Sequence, residues 1–198
     1  LLRMVGAFPY GEIADFPMEG RAAAGQHGAM DKPTLRNEPP PGHASLRVGR
    51  RTPPSAQTWH LTFNTHQRES LFRDFEAARV VSACLHESAA ISGGEVLAWV
   101  VMPDHVHCLL RLDGGQPLAA AVGAFKSGSA RRLNRALGRK GPLWDRAYHD
   151  RALRSDDDLR SVARYIVANP LRAGLVDRIA DYPFWNAVWM TGKDPSPV

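Results

Sequence analysis

Residues 96–102, Val-Leu-Ala-Trp-Val-Val-Met, form an apolar run that passes through Pro103-Asp104 and returns as His105-Val106-His107-Cys108-Leu109-Leu110-Arg111-Leu112. Seven apolar residues are far short of the roughly 20 that a membrane span needs. Bounded by turn residues, the run reads as a central strand. The segment after Pro103-Asp104 reads as its antiparallel partner, and Asp113-Gly114-Gly115 closes the hairpin. A hairpin this apolar commits the chain to a sheet with cover on it.

The flanking patterns supply that cover. Trp59, Leu61 and Phe63 alternate with His60, Thr62 and Asn64, which predicts a half-buried strand. Residues 70–90 place Leu71, Phe75, Ala78, Val81 and Leu85 at helical spacing, and Ser92-Gly93-Gly94 ends that pattern. A second helix is expected over 117–137, with Leu118, Val122, Phe125, Leu133 and Leu137 inward and Gly138 as terminator. A short strand is expected within 143–153. Ser155 then caps a third helix, with Asp156, Asp157 and Asp158 in its first turn. That helix carries Leu159, Val162, Tyr165 and Ile166 and should stop near Asn169, before Pro170. Strand, helix, two strands, helix, strand, helix is the order of an α+β domain with helices packed on an antiparallel sheet.

Residues 1–55 are rich in Gly, Pro and Ala, include Pro39-Pro40-Pro41 and sustain no period. Such a segment is expected to be a disordered extension, because it buries too little apolar area to offset its ordering entropy. The domain expected to fold is 56–190, with 191–198 as a short tail. Two cysteines, Cys84 and Cys108, both in apolar runs, make neither a zinc cluster nor a disulfide framework. They read as reduced core thiols. With no secretory signal in the sequence given, a cytoplasmic setting is expected.

Three features carry chemistry. On a strand, His105 and His107 project to one face while Val106, Cys108 and Leu110 face the other. Two neighbouring imidazoles on a rigid strand form a pair of metal ligands, or else two half-exposed histidines on a sheet. Tyr165 and Asn169, four apart, share a helix face. A phenol nucleophile would then stand beside a carboxamide oxygen able to bind a hard cation. The plainer alternative is a Tyr anchoring its helix and an Asn capping it. Finally, Lys126, Arg131, Arg132, Arg135, Arg139 and Lys140 crowd into residues 126–140 with no acid among them, in a chain of net charge +5. A solvated face usually mixes signs, so this stripe is a candidate for phosphate contacts.

In order along the chain stand Pro103-Asp104-His105-Val106-His107, then Leu143-Trp144-Asp145-Arg146. Last comes Arg164-Tyr165-Ile166-Val167-Ala168-Asn169-Pro170-Leu171-Arg172-Ala173-Gly174-Leu175-Val176. Over about residues 47–190 this combination resembles the REP-associated tyrosine transposases, bacterial relatives of the insertion-sequence transposases of the HUH single-tyrosine class. The resemblance implies a ferredoxin-like or RRM-like fold, with His105, His107 and Asn169 as metal ligands and Tyr165 as nucleophile. At the position of Asn169 many insertion-sequence relatives carry Gln.

By the same resemblance the reaction is cleavage and transfer of single-stranded or hairpin DNA, of the repetitive extragenic kind, through a 5′-phosphotyrosine. The ion expected is Mg²⁺ or Mn²⁺. A free Tyr titrates near 10, so nearby charge such as that of Arg164 or Arg172 is expected to help. Trp144 and Tyr148 are either base-stacking platforms or core aromatics, and Tyr148 is a rival nucleophile. Two other classes are a domesticated DNA-binding protein that cuts nothing and an RRM-type RNA-binding module. The sequence leaves the oligomeric state open between monomer and homodimer.

Overall fold

A computed structural model of the chain describes residues 56–154 and 159–191, all within one compact unit, Pro41–Val198. The expected extension 1–55, the Ser155 cap with its three aspartates, and residues 192–198 lie outside the described residues. The elements are β1 (Gln57–Asn64), α1 (Phe75–Ile91), β2 (Gly94–Met102), β3 (His105–Leu112), α2 (Leu118–Ala136) and β4 (His149–Ala152). Then follow α3 (Leu159–Val167), the single turn α4 (Asn169–Arg172) and β5 (Trp185–Ala187). All strand pairs are antiparallel, in the order β4-β1-β3-β2-β5. The first six elements form the βαββαβ unit of ferredoxin-like folds, to which α3 and β5 are appended. No helix among the described residues is long and apolar enough to cross a membrane.

Each strand face has its own core. Trp59, Leu61 and Phe63 of β1 and Val106, Cys108, Leu110 and Leu112 of β3 pack with α1 and α2. The opposite face, through Leu97, Ala98, Val100, Met102 and Leu109, packs against Ala163, Ile166 and Val167 of α3. Cover on both sides explains why residues 96–102 do not alternate. A register shift between Val96 and Ala98 makes Leu97 an extra residue in the ladder, so Leu97 and Ala98 join the same core. Cys84 and Cys108 are free and buried, and burial pushes the Cys108 thiol up to about 12.

Local chemistry sets the boundaries and corrects two expectations. The first helix starts at Phe75, because the Asp74 carboxylate accepts from the Ala77 N–H at 2.8 Å, a cap worth about 1 kcal/mol. Leu71 sits in a preceding 3₁₀ turn, and Phe75 is 58% exposed against Phe184 instead of buried in the core. The strand within 143–153 is only four residues long, since Leu143 and Trp144 turn into the α1/α2 core. The third helix stops at Val167, close to the expected end near Asn169, although Pro170 does not bar a further turn. The helix breaks at Ala168 and resumes at Asn169, where Pro170 occupies the first turn and its missing N–H costs nothing.

Candidate active site

Register brings the candidate residues to one face of the sheet. Thr62 pairs with His107 and Asn64 with His105, so His60, Thr62 and Asn64 share a face with both histidines. Ile166, fully buried against this face, and Ala163 anchor α3 beside them. That anchoring sets the Tyr165 ring edge-on to His60, with centroids 6.4 Å apart, and His60 lies 5.6 Å from His107. Tyr165 stays 46% exposed, open to a macromolecule, and the Arg172 guanidinium stands 4.3 Å over its ring.

The two histidines converge through Nε2, 3.1 Å apart. Two donors about 2.1 Å from one ion, at right angles, stand about 3.0 Å apart, so the spacing fits neighbouring ligands of a single cation. The Nδ1 of His105 meets Asp104 Oδ1 at 2.6 Å. An ionised carboxylate only accepts, so Nδ1 carries the proton and Nε2 presents its lone pair. His107 Nδ1 is 2.9 Å from Thr62 Oγ1. A hydroxyl can donate or accept. When Thr62 donates, His107 Nε2–H bonds to His105, and when Thr62 accepts, both Nε2 lone pairs face an ion. The donor set fits a divalent metal.

Burial also favours neutral, ligating imidazoles. It takes His107 down to about 3, with the charges of His105, His60, Arg68 and Arg172 adding to the effect. Burial, helped by Arg151, takes His60 to about 4. His105 is lowered by burial against the opposing pull of Asp104. No third His, Cys, Asp or Glu among the described residues completes a metal cluster. The Asn169 Nδ2 donates to the Tyr165 and Ile166 carbonyls at 3.1 and 2.9 Å, which caps α3 and leaves Oδ1 as its possible ligating atom.

The other aromatic candidates fall away from this face. Trp144 is buried among Phe63, Phe72 and Phe125, with its N–H satisfied by Ser129 Oγ at 2.9 Å. It is a core residue and not a base platform. Tyr148 packs on Phe63 in the same core, on the side of the sheet away from the histidines and Tyr165.

The basic stripe runs along α2, which packs on the opposite face, and ends in Arg139 and Lys140 just past the helix. Three of its six cations already have protein partners. Lys126 Nζ donates to the carbonyls of Asp145, Arg146 and Ala147. Arg132 pairs with Glu87, and Arg139 with Glu69 at 2.9 Å. Arg131, Arg135 and Lys140 are exposed.

Sequence reasoning missed His60, Thr62, Asp104 and Arg68 as parts of the site. The period of β1 put the first two on the polar face, but only its register with β3 sets them beside His107. Arg68 closes a ring of contacts. Its Nε is 2.9 Å from Asp104 Oδ2 and its Nη1 2.6 Å from Asn64 Oδ1. Reaching there, Gln67 and Arg68 take φ of 54° and 57°, left-handed conformations that cost a residue with a Cβ about 1–2 kcal/mol.

Comparison with known proteins agrees with this geometry. Residues 55–169 match the family model described as "Transposase IS200 like". A REP-associated tyrosine transposase of Escherichia coli strain K12 is 28% identical over 130 residues, covering 64% of this chain and 74% of the relative. The ISDra2 transposase TnpA of Deinococcus radiodurans is 40% identical over 79 residues, which are 37% of this chain and 56% of that protein. Among solved structures, a REP-associated tyrosine transposase bound to a REP hairpin superposes with a TM-score of 0.57 at 27% identity. It covers 69% of this chain and 79% of the other. Since the family match takes in more than half of the chain, the protein belongs to the IS200-like transposases.

Proposed function

We propose that the protein cuts and rejoins single strands of hairpin DNA, with Tyr165 as nucleophile and His105, His107 and Asn169 holding a divalent ion, Mg²⁺ or Mn²⁺. The observation that carries the reading is the 3.1 Å approach of the two Nε2 atoms on the sheet face that also receives Tyr165. A related protein bound to a REP hairpin supports hairpin DNA as the substrate class.

When bound, the ion polarises a phosphate oxygen and offsets the charge that grows as the bond breaks. His105 and His107 would hold it from the sheet through Nε2, and Asn169 would hold it from α4 through Oδ1. Tyr165 Oη attacks phosphorus, forming a P–O bond to the phenol as the bond to the 3′-oxygen breaks. The phenolic proton passes to solvent, and the departing 3′-oxygen takes one up as a free hydroxyl. Arg172 steadies the ring from its face and places positive charge beside the forming phenolate. His60 fills the space between ring and metal pair with a neutral imidazole. Attack by a 3′-hydroxyl of another strand reverses the step, so joining needs no ATP. Arg131 and Arg135 on α2, and Lys140 just past it, contact phosphates of the stem, while Lys126, Arg132 and Arg139 contribute through their internal contacts.

The test is incubation with end-labelled hairpin DNA on a denaturing gel. A slow-migrating protein–DNA band that needs Mg²⁺ or Mn²⁺ and vanishes in EDTA is expected. Tight hairpin binding with no such band under any metal would favour a binding protein that has lost cleavage.

A further inference from the structure

We propose that Arg68 is a positioning residue for the metal pair: by clamping one oxygen of Asp104 it aims the other at His105 and fixes which imidazole nitrogen faces the ion. The proposal rests on the metal reading above and adds to it how one ligand is oriented.

The contacts form an unbroken series. The Arg68 fork spans two acceptors, Asn64 Oδ1 at 2.6 Å and Asp104 Oδ2 at 2.9 Å. Asn64 is the cross-strand partner of His105, so the fork ties both strands at the level of that ligand. Asp104 Oδ1 then meets His105 Nδ1 at 2.6 Å, and His105 Nε2 meets its counterpart on His107. Behind them the backbone is held too. Thr65, fully buried, donates its N–H to the Asp104 carbonyl at 3.0 Å, and its one hydroxyl proton is shared between that carbonyl and the Glu69 carbonyl, each 2.8 Å away. The turn that carries Arg68 is fastened at its far side by Glu69 to Arg139, just past the end of α2.

Two consecutive non-glycine residues in left-handed geometry, Gln67 and Arg68, bring this side chain back over the strand end. Such conformations persist where surrounding contacts over-determine them, and they gather at functional sites. A metal-bound imidazole needs its other nitrogen held by an acceptor, and removing that support typically lowers metal affinity by about 10- to 100-fold. Asp104 alone could rotate about its own side-chain bonds. The planar guanidinium, bonded at two points, removes that freedom.

The experiment compares wild type, Arg68→Met, Arg68→Lys and Asp104→Asn as intact chains, with Mn²⁺ alone and no DNA. Calorimetry reads the metal affinity. Long-range ¹H–¹⁵N spectra of the metal-free protein read the His105 tautomer, which a merely structural role would leave unchanged. Wild type should bind Mn²⁺ with His105 as the Nδ1–H form. Arg68→Met should weaken binding roughly tenfold or more and give a mixture of tautomers. Arg68→Lys, with one point charge in place of a fork, should fall between. Should Arg68→Met fail to fold, Asp104→Asn carries the same comparison, because it keeps the shape and breaks the ion pair. Wild-type affinity and an unchanged tautomer in the variants would overturn the positioning role while leaving the metal site standing. Absence of His107-dependent Mn²⁺ binding in the wild type would overturn the metal reading and this role together.

Discussion

His105 and His107 face each other through Nε2 at 3.1 Å, while their Nδ1 atoms are held by Asp104 and Thr62 respectively. One imidazole is thus fixed by a group that only accepts, and the other by a hydroxyl that can do either. Thr62→Val removes the second support without emptying the space. It should lower Mn²⁺ affinity by about tenfold, whereas His105→Ala or His107→Ala should abolish the rise in Tm that Mn²⁺ produces in the wild type. An undiminished rise in either alanine variant would mean that the ion binds elsewhere.

Acid should destabilise the metal-free protein through the same imidazoles. Unfolded His takes up its proton near pH 6.5, while folded His60 and His107 hold out to about 4 and about 3. Between those values the unfolded state binds more protons, so stability falls as pH falls, by up to about 1.4 kcal/mol per pH unit for each group. Below the folded values the loss from these two groups is complete. Denaturant titrations from pH 7 to pH 5 should therefore show a shallower decline for His60→Phe than for the wild type. Equal slopes would show that His60 is not held neutral.

The α2 surface gives a third prediction. Replacing Arg131, Arg135 and Lys140 together by Gln should weaken hairpin binding whatever its sequence, since phosphate contacts carry little base information. The plot of log K against log salt should flatten by about two to three units. Arg139 is left out of this set because its pair with Glu69 makes Arg139→Gln a change to the fold as well. An unchanged slope would make the surface a solvated face.

The parts of this molecule that were legible in the chain are those written in local periodicity. The alternation of Trp59, Leu61 and Phe63 and the run through Met102 gave the strands, and the step of two between His105 and His107 gave their shared face. The register did not show. Nothing local says that Thr62 lies opposite His107, or that Leu97 is an extra residue in the ladder. The same limit explains the stripe on α2. Its cations look unopposed along the sequence, yet Glu69 and Glu87, 70 and 45 residues away, neutralise two of them. Trp144 and Tyr148 were ambiguous because an aromatic in a Gly- and Pro-flanked loop looks alike whether it points to a base or into a core.

Tyr165 is the proposed nucleophile toward the DNA, and mapping the covalent adduct identifies the residue that attacks. Wild-type protein is reacted with hairpin DNA and Mg²⁺, digested with nuclease and protease, and the peptides are read by mass spectrometry. The expected result is a 5′-phosphotyrosyl nucleotide on the peptide containing Tyr165, absent from Tyr165→Phe, which should still bind the hairpin because only one oxygen is lost. A nucleotide on Tyr148, or an adduct that survives Tyr165→Phe, would contradict the assignment.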